Sequence, residues 1–270
     1  VGATTITATT YNGKKVTCTV KVKKAPTQIS LNKTSVTLGV GETFDLNSKL
    51  NSNEASYSIR YASSNSNIAT VNSSGGLVTA KKAGTVTISA TTYNGKKVTC
   101  KVTVKNAPSK ISLNKTKLTL GVGETFDLNS SLPTGTASYI VKYKSTNSSV
   151  ATVKSSGGLV TAKKVGTATV TATTYNGKSV TCTITVKSAP TSIHLNKNRI
   201  VLKVDQTYDL NSLLKTGEAA HSIVYTSKNT SIATVKASGG LVTAKKAGTT
   251  TVTATTYNGK KATCTVVVTA

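Results

Sequence analysis

Thr91-Thr92-Tyr93-Asn94-Gly95-Lys96 stands again at Thr173–Lys178 and at Thr255–Lys260, and a fourth copy starts at Thr9. Cys18, Cys100, Cys182 and Cys264 keep the same step, each 82 residues from the next. Self-similarity at a fixed period sets the architecture before any other argument. The 270 residues divide into three whole units, 25–106, 107–188 and 189–270. Residues 1–24 match only the tail of a unit and align with Ala83–Asn106, as the C-terminal hairpin of an incomplete repeat. A hairpin alone cannot bury its apolar face. Either upstream sequence completes it or another chain does, which would make it a point of self-association.

The quoted stretch also sets a register. Before it, Val86, Ile88 and Ala90 alternate as inward residues; after it, Val98, Cys100 and Val102 do the same. A two-residue Asn-Gly loop would set Ala90 against Thr99, an inward residue against an outward one. A three-residue loop, Tyr93-Asn94-Gly95, pairs Ala90 with Val98, and paired residues share a face. Such a loop needs a left-handed third residue, which Gly95 supplies.

Outward from this hairpin, the first whole unit reads as short strands. Ile29–Leu31 comes first, then Val36–Val40 in alternation. Gly41-Glu42-Thr43 turns the chain into Phe44-Asp45-Leu46, with Phe44 and Leu46 inward. Tyr57–Ala62 is the middle strand, with Tyr61 as an aromatic plug. Ile68–Val71, the Ser73–Gly76 turn and Leu77–Ala80 follow, and Thr85–Thr92 with Lys96–Lys105 close the unit. Seven or eight such strands describe a two-sheet sandwich. No long 3.6-residue period occurs, so less than one turn of helix is expected per unit. About 80 residues suffice for one small core.

Cores must be built from Val, Ile, Leu, Ala and a few Tyr, because Met and Trp are absent and Phe occurs only at Phe44 and Phe126. The net charge is +26, and of 34 basic residues only Arg60 and Arg199 are arginine. Specific reading of bases or phosphates favours arginine forks. No aromatics interleave with the lysines as stacking on nucleic acid requires, so no specific nucleic-acid partner is expected. Lys97, Lys101 and Lys105 share an outward face with Thr99 and Thr103. Lysine on exposed strands solubilises and blocks edge pairing. It also attracts anionic cell-surface polymers weakly. The turn pairs Lys81-Lys82, Lys163-Lys164 and Lys245-Lys246 persist, whereas Lys101 becomes Thr183 and Thr265. That drift fits general solvation better than a fixed groove. No run of 18 apolar residues exists to span a membrane as a helix.

Gly39-Val40-Gly41-Glu42-Thr43 after Leu38, the run Tyr61–Val71 and Gly76–Thr85 resemble the bacterial immunoglobulin-like group 2 domain, in order and in every unit. The resemblance implies an all-β fold, tandem immunoglobulin-like β-sandwich domains in a linear array. It implies an extracellular or bacterial cell-surface protein, or one on a virion. Stalks of the intimin and invasin kind, large repeat adhesins, modules on secreted enzymes and phage tail or head proteins all use the domain. Two departures stand out. Tyr61, Tyr143 and Tyr225 stand where the family often has Trp. Lys203-Val204-Asp205-Gln206-Thr207 replaces the Gly-Val-Gly-Glu-Thr turn, which is expected to alter its shape.

Catalysis has little to work with. His194 replaces Ser30 and Ser112 on a first strand, and His221 is aligned with Ser56 and Ser138 near a loop; both read as drift. The eight acids are Glu42, Asp45, Glu54, Glu124, Asp127, Asp205, Asp209 and Glu218. They are too sparse for a calcium cage. Zinc fails because the cysteines are single and inward. One cysteine per unit, in phase with valines, reads as a buried reduced thiol. A Lys–Asp crosslink at Asp45, Asp127 or Asp209 would need an inward lysine, and the lysines alternate outward. The sequons at Asn32 and Asn114 read as chance. No catalytic, cofactor-binding or metal-binding residue is assigned, and no cofactor. The expected function is a non-catalytic stalk or spacer. The alternatives are a filament or phage tail subunit, or a cationic module that binds anionic cell-wall polymer.

Overall fold

The computed structural model describes residues 1–270, and every regular element in it is a β-strand. β1 (Gly2–Thr9) and β2 (Lys15–Val22) form a two-stranded hairpin. The first whole repeat follows as β3 (Ile29–Leu31), β4 (Ser35–Gly39), β5 (Thr43–Asp45), β6 (Ser48–Leu50), β7 (Ile59–Ser63), β8 (Ala69–Val71), β9 (Leu77–Ala80), β10 (Gly84–Thr92) and β11 (Lys97–Lys105). The same nine elements recur over 112–187 and over 194–269. One of the nine, β6, escapes the sequence reading. Ser48-Lys49-Leu50 is too short to show alternation and is recognised only by its pairing with β3.

A four-stranded sheet has the order β4-β11-β10-β7, and a three-stranded sheet has the order β5-β9-β8. β4 runs parallel to β11 and the other pairs are antiparallel. Ala90 lies opposite Val98, so the hairpin loop is the three residues Tyr93-Asn94-Gly95, with Gly95 at φ 81°. Val36, Leu38, Val86, Ile88, Cys100, Val102 and Val104 from one sheet meet Phe44, Ala69, Val78 and Ala80 from the other in one buried cluster. Leu46 is fully buried there, and Asp45 before it is exposed. Alternation with period two delivers these side chains to one face, and their removal from water is the main stabilising term.

Tyr61 plugs the core beside a small neighbour. It pairs with Ala90, as Tyr143 pairs with Ala172 and Tyr225 with Ala254. Gly76, at φ 73°, lies against the Tyr61 ring, and a Cβ there would also overlap the Leu46 carbonyl. The middle strand begins at Ile59, two residues later than alternation suggests. Tyr57 is fully exposed in a loop whose Ser56 hydroxyl donates to the Ser58 carbonyl at 2.8 Å. Asn32 ties two loops together. Its side chain donates to the Asp45 carbonyl at 2.9 Å and accepts from the Asn47 N–H at 3.0 Å. Asn114 and Asn196 repeat both bonds.

Packing gathers the chain into two compact units. One holds Val1–Lys110, Leu132–Ile140 and Thr174–Lys178; the other holds Ile111–Ser131, Val141–Thr173 and Ser179–Ala270. The division cuts across the 82-residue period, because two loops of the second repeat pack with the first repeat. No helix is long and apolar enough to cross a membrane.

Candidate functional site: the glutamate seats

Glu42 follows a tight turn in which its own N–H donates to the Gly39 carbonyl at 2.9 Å and the Gly41 N–H donates to the Ala80 carbonyl at 2.8 Å. Gly41 sits at φ 88°, where a side chain is disfavoured. The turn folds the Glu42 side chain back over itself, so that Oε2 accepts the Gly39 N–H at 2.9 Å. Glu42 is only 5% exposed. A buried charge needs partners, and these come from the next repeat. The Tyr139 N–H is shared between Oε1 at 2.8 Å and Oε2 at 2.9 Å.

In the other compact unit, Glu124 is 2% exposed and accepts three N–H groups. Gly121 donates at 3.0 Å, His221 at 2.9 Å and Ser222 at 2.7 Å. Bonds from neutral donors to an ionised acceptor are stronger than those between neutral groups. We call each of these turns, with the loops upon it, a seat.

A tyrosine closes each seat. The phenol of Tyr175 donates to the Val40 carbonyl, and that of Tyr257 donates to the Val122 carbonyl at 2.6 Å. Burial pushes the Tyr175 hydroxyl above its ordinary range, and the Glu42 charge adds to the effect. Burial and Glu124 do the same for Tyr257. The rings add edge-on contacts. Phe44 meets Tyr139 and Phe126 meets His221, each with ring centres 4.9 Å apart. Gly39 is required by this closeness: a Cβ on it would overlap the Ala137 carbonyl and the Tyr175 hydroxyl. Gly121 stands in the same relation to Ala219 and Tyr257.

The residues of the repeated hexapeptide divide the work of building this loop. Thr174 donates to Asn176 Oδ1 at 2.6 Å and accepts the Lys178 N–H at 3.0 Å, which shapes the loop. Asn176 Nδ2 donates to the Pro108 carbonyl at 2.9 Å, tying the loop to its repeat's entry. Gly177 supplies the left-handed residue at φ 81°. Tyr175 is thereby aimed at the seat. A third tie pins the connecting chain itself: the Ala137 N–H donates to the Asn106 carbonyl, and the Ala219 N–H to the Ser188 carbonyl. The equivalent loop of the first repeat adds Glu54. Its Oε1 accepts the Thr27 hydroxyl, a bond that is the largest cause of its lowered pKa.

Neither seat is legible along the chain, where Glu42 and Glu124 are two of eight scattered acids; the fold buries them. The expected alignment of His221 with Ser138 is corrected by one residue. His221 takes the place of Tyr139, its N–H on the seat glutamate and its ring on the phenylalanine. The signal was present in the glutamate between a glycine and a threonine in two turns, against glutamine in the third. The third turn also corrects an expectation. Lys203-Val204-Asp205-Gln206 keeps the shape of the others: the Gln206 N–H donates to the Lys203 carbonyl, and the Asp205 N–H to Ala244, with Asp205 at φ 67°. His194 is exposed on its strand. Cys100, Cys182 and Cys264 are fully buried, and burial raises each thiol's pKa; Cys18 is exposed. No group of three His, Cys, Asp or Glu side chains is placed to hold a metal ion.

The bacterial Ig-like domain (group 2) model matches residues 25–102, 109–184 and 189–266. An uncharacterized protein of Clostridium acetobutylicum is 31% identical over 189 residues, and that alignment covers 68% of this chain and 19% of the relative. Among solved structures, surface layer protein SbsC (domains 4–9) is 18% identical, with a TM-score of 0.29, covering 91% of this chain and 48% of that one. The C-terminal 282-residue fragment of intimin, in complex with the intimin-binding domain of its translocated receptor, is 20% identical with a TM-score of 0.25, covering 60% and 64%. Three tandem matches over most of the length place the chain in the family: it belongs to the bacterial Ig-like domain (group 2) proteins.

Proposed function

We propose that this chain is a non-catalytic spacer of a bacterial surface or adhesion protein, acting outside the cell. Its mechanical units are the 82-residue repeats 25–106, 107–188 and 189–270. The observation that carries this reading is the recurrence of one seat at two successive junctions, Glu42 with Tyr139 and Tyr175, and Glu124 with His221, Ser222 and Tyr257. A string of domains on loose linkers moves freely by default. Here a buried carboxylate, a phenol and a backbone tie restrain each junction, as a stalk that holds a distal head away from a surface requires. Diffuse lysine charge keeps such a stalk soluble and gives it weak contacts with anionic polymer.

Small-angle scattering of the whole chain and of Glu42→Gln/Glu124→Gln tests this reading. The native chain is expected to fit one persistent conformation. The double variant, in which each seat loses an acceptor oxygen, is expected to need an ensemble of bent forms. A native chain as flexible as the variant would overturn the spacer reading.

A further inference from the structure

The third repeat has the seat's turn without the seat's chemistry. Lys203 stands at the position of Gly39 and Gly121, Asp205 at that of Gly41 and Gly123, and Gln206 at that of Glu42 and Glu124. We propose that this turn refuses a following repeat of the kind the other two turns hold. The identities at these three positions would then form a code that decides where the protein is stiff and where it bends. The proposal rests on the spacer reading and adds the rule for which junctions lock.

Two physical reasons exclude docking. The first is steric. The incoming alanine carbonyl and tyrosine hydroxyl fill the space where a Cβ on Gly39 or Gly121 would sit. Lys203 carries that Cβ and a long charged side chain beyond it. The second is the sign of the hydrogen bond. Gln206 Oε1 already accepts the Lys203 N–H at 2.8 Å, as the glutamates accept their own glycine. Both oxygens of Glu42 or Glu124 receive incoming N–H groups. Glutamine has one oxygen and a nitrogen that only donates. An incoming pair like His221 and Ser222 would set a donor against a donor and bury it unsatisfied.

The turn is not simply broken. Its backbone bonds are kept, and Asp205 tolerates the left-handed conformation that glycine holds elsewhere. The fold preserves the platform while the side chains withdraw the docking chemistry. Any unit after it would be held only by its linker and that linker's backbone tie, a looser junction after two locked ones.

The test extends the whole chain after Ala270 with a second copy of residues 189–270, with the natural turn or with Lys203→Gly/Asp205→Gly/Gln206→Glu. Amide hydrogen exchange is read at the positions of His221 and Ser222 in the added copy. With the natural turn these amides are expected to exchange at least tenfold faster than His221 and Ser222 themselves. With the restored turn they are expected to slow to within threefold of them. The reciprocal variant, Gly121→Lys/Gly123→Asp/Glu124→Gln, should speed His221 and Ser222 at least tenfold while the core amide of Val266 stays protected. Equal protection behind the natural turn, or no gain from restoring it, would overturn the code. This readout is local, so it separates from the scattering result. A flexible native chain with protected seat amides would sink the spacer reading and the link to stiffness, and leave intact the rule for which turns receive a repeat.

Discussion

Tyr175 donates the hydrogen bond of its phenol, at 2.5 Å, to the carbonyl of Val40, 135 residues earlier in the chain. The bond joins the hairpin loop of one repeat to a turn of the repeat before it. Tyr175→Phe with Tyr257→Phe removes both such bonds and leaves two carbonyls without their partner. Each loss is expected to cost about 1 kcal/mol. Calorimetry of the double variant should show a lower Tm with the sandwich cores intact. An unchanged transition would remove the tyrosines from the seat's energetics.

The same phenols set an alkaline limit. Their pKa is raised in the folded protein, by burial and then by the seat glutamate. The unfolded chain therefore ionises first, at about pH 10. Below that pH the protonated phenols contribute fully. Above it stability falls until the folded pKa is passed. Tm plotted against pH from about 9 to 11.5 is expected to drop more steeply for the native protein than for the double phenylalanine variant. Parallel curves would contradict the assignment.

Glycine is needed for different reasons at two positions. A Cβ at Gly39 meets nearby atoms of the next repeat, although its φ is ordinary. A Cβ at Gly95 meets nothing, but φ is 81°. Gly95→Ala should cost about 1 kcal/mol through backbone strain alone. Gly39→Ala should leave the first sandwich stable and expose the Tyr139 N–H to exchange. If Gly95→Ala released that amide as strongly, the steric account of the seat would be wrong.

Thiol chemistry reads the cores independently. Cys18 is exposed on the hairpin, while Cys100, Cys182 and Cys264 are fully buried. A thiol reagent added to the native protein should label one cysteine at once and the other three only after unfolding. Cys100→Ser should destabilise by about 1–3 kcal/mol, because a hydroxyl enters an apolar site. Fast labelling of more than one thiol would show that the cores open readily.

Charge supplies the last expectation. With a net charge of +26 carried almost wholly by lysine, retention on an immobilised polyanion should be non-specific. It should be lost between about 50 and 200 mM salt. Binding to one defined glycan that survives high salt would point to a built site and away from a spacer.

Local pattern was enough to specify the period, the two-faced strands, the three-residue hairpin loop and the inward cysteines. Each depends on alternation or on a residue a few positions away, and both are visible along the chain. Tyr57 shows where that method ends. Its apolar ring continues the alternation toward Tyr61, yet it is exposed in a loop before the strand, at the position where Tyr139 and His221 present their N–H groups to the preceding repeat. Glu42 and Glu124 read along the chain only as two of eight sparse acids, Glu42 within a turn. Their partners stand 97 residues away, and nothing local distinguishes a carboxylate facing water from one facing backbone donors. Alternation along the chain therefore suffices for the sandwich, while contacts across repeats choose which turns receive a neighbour. A seat exists only where two distant loops arrive together and exclude water from a charge.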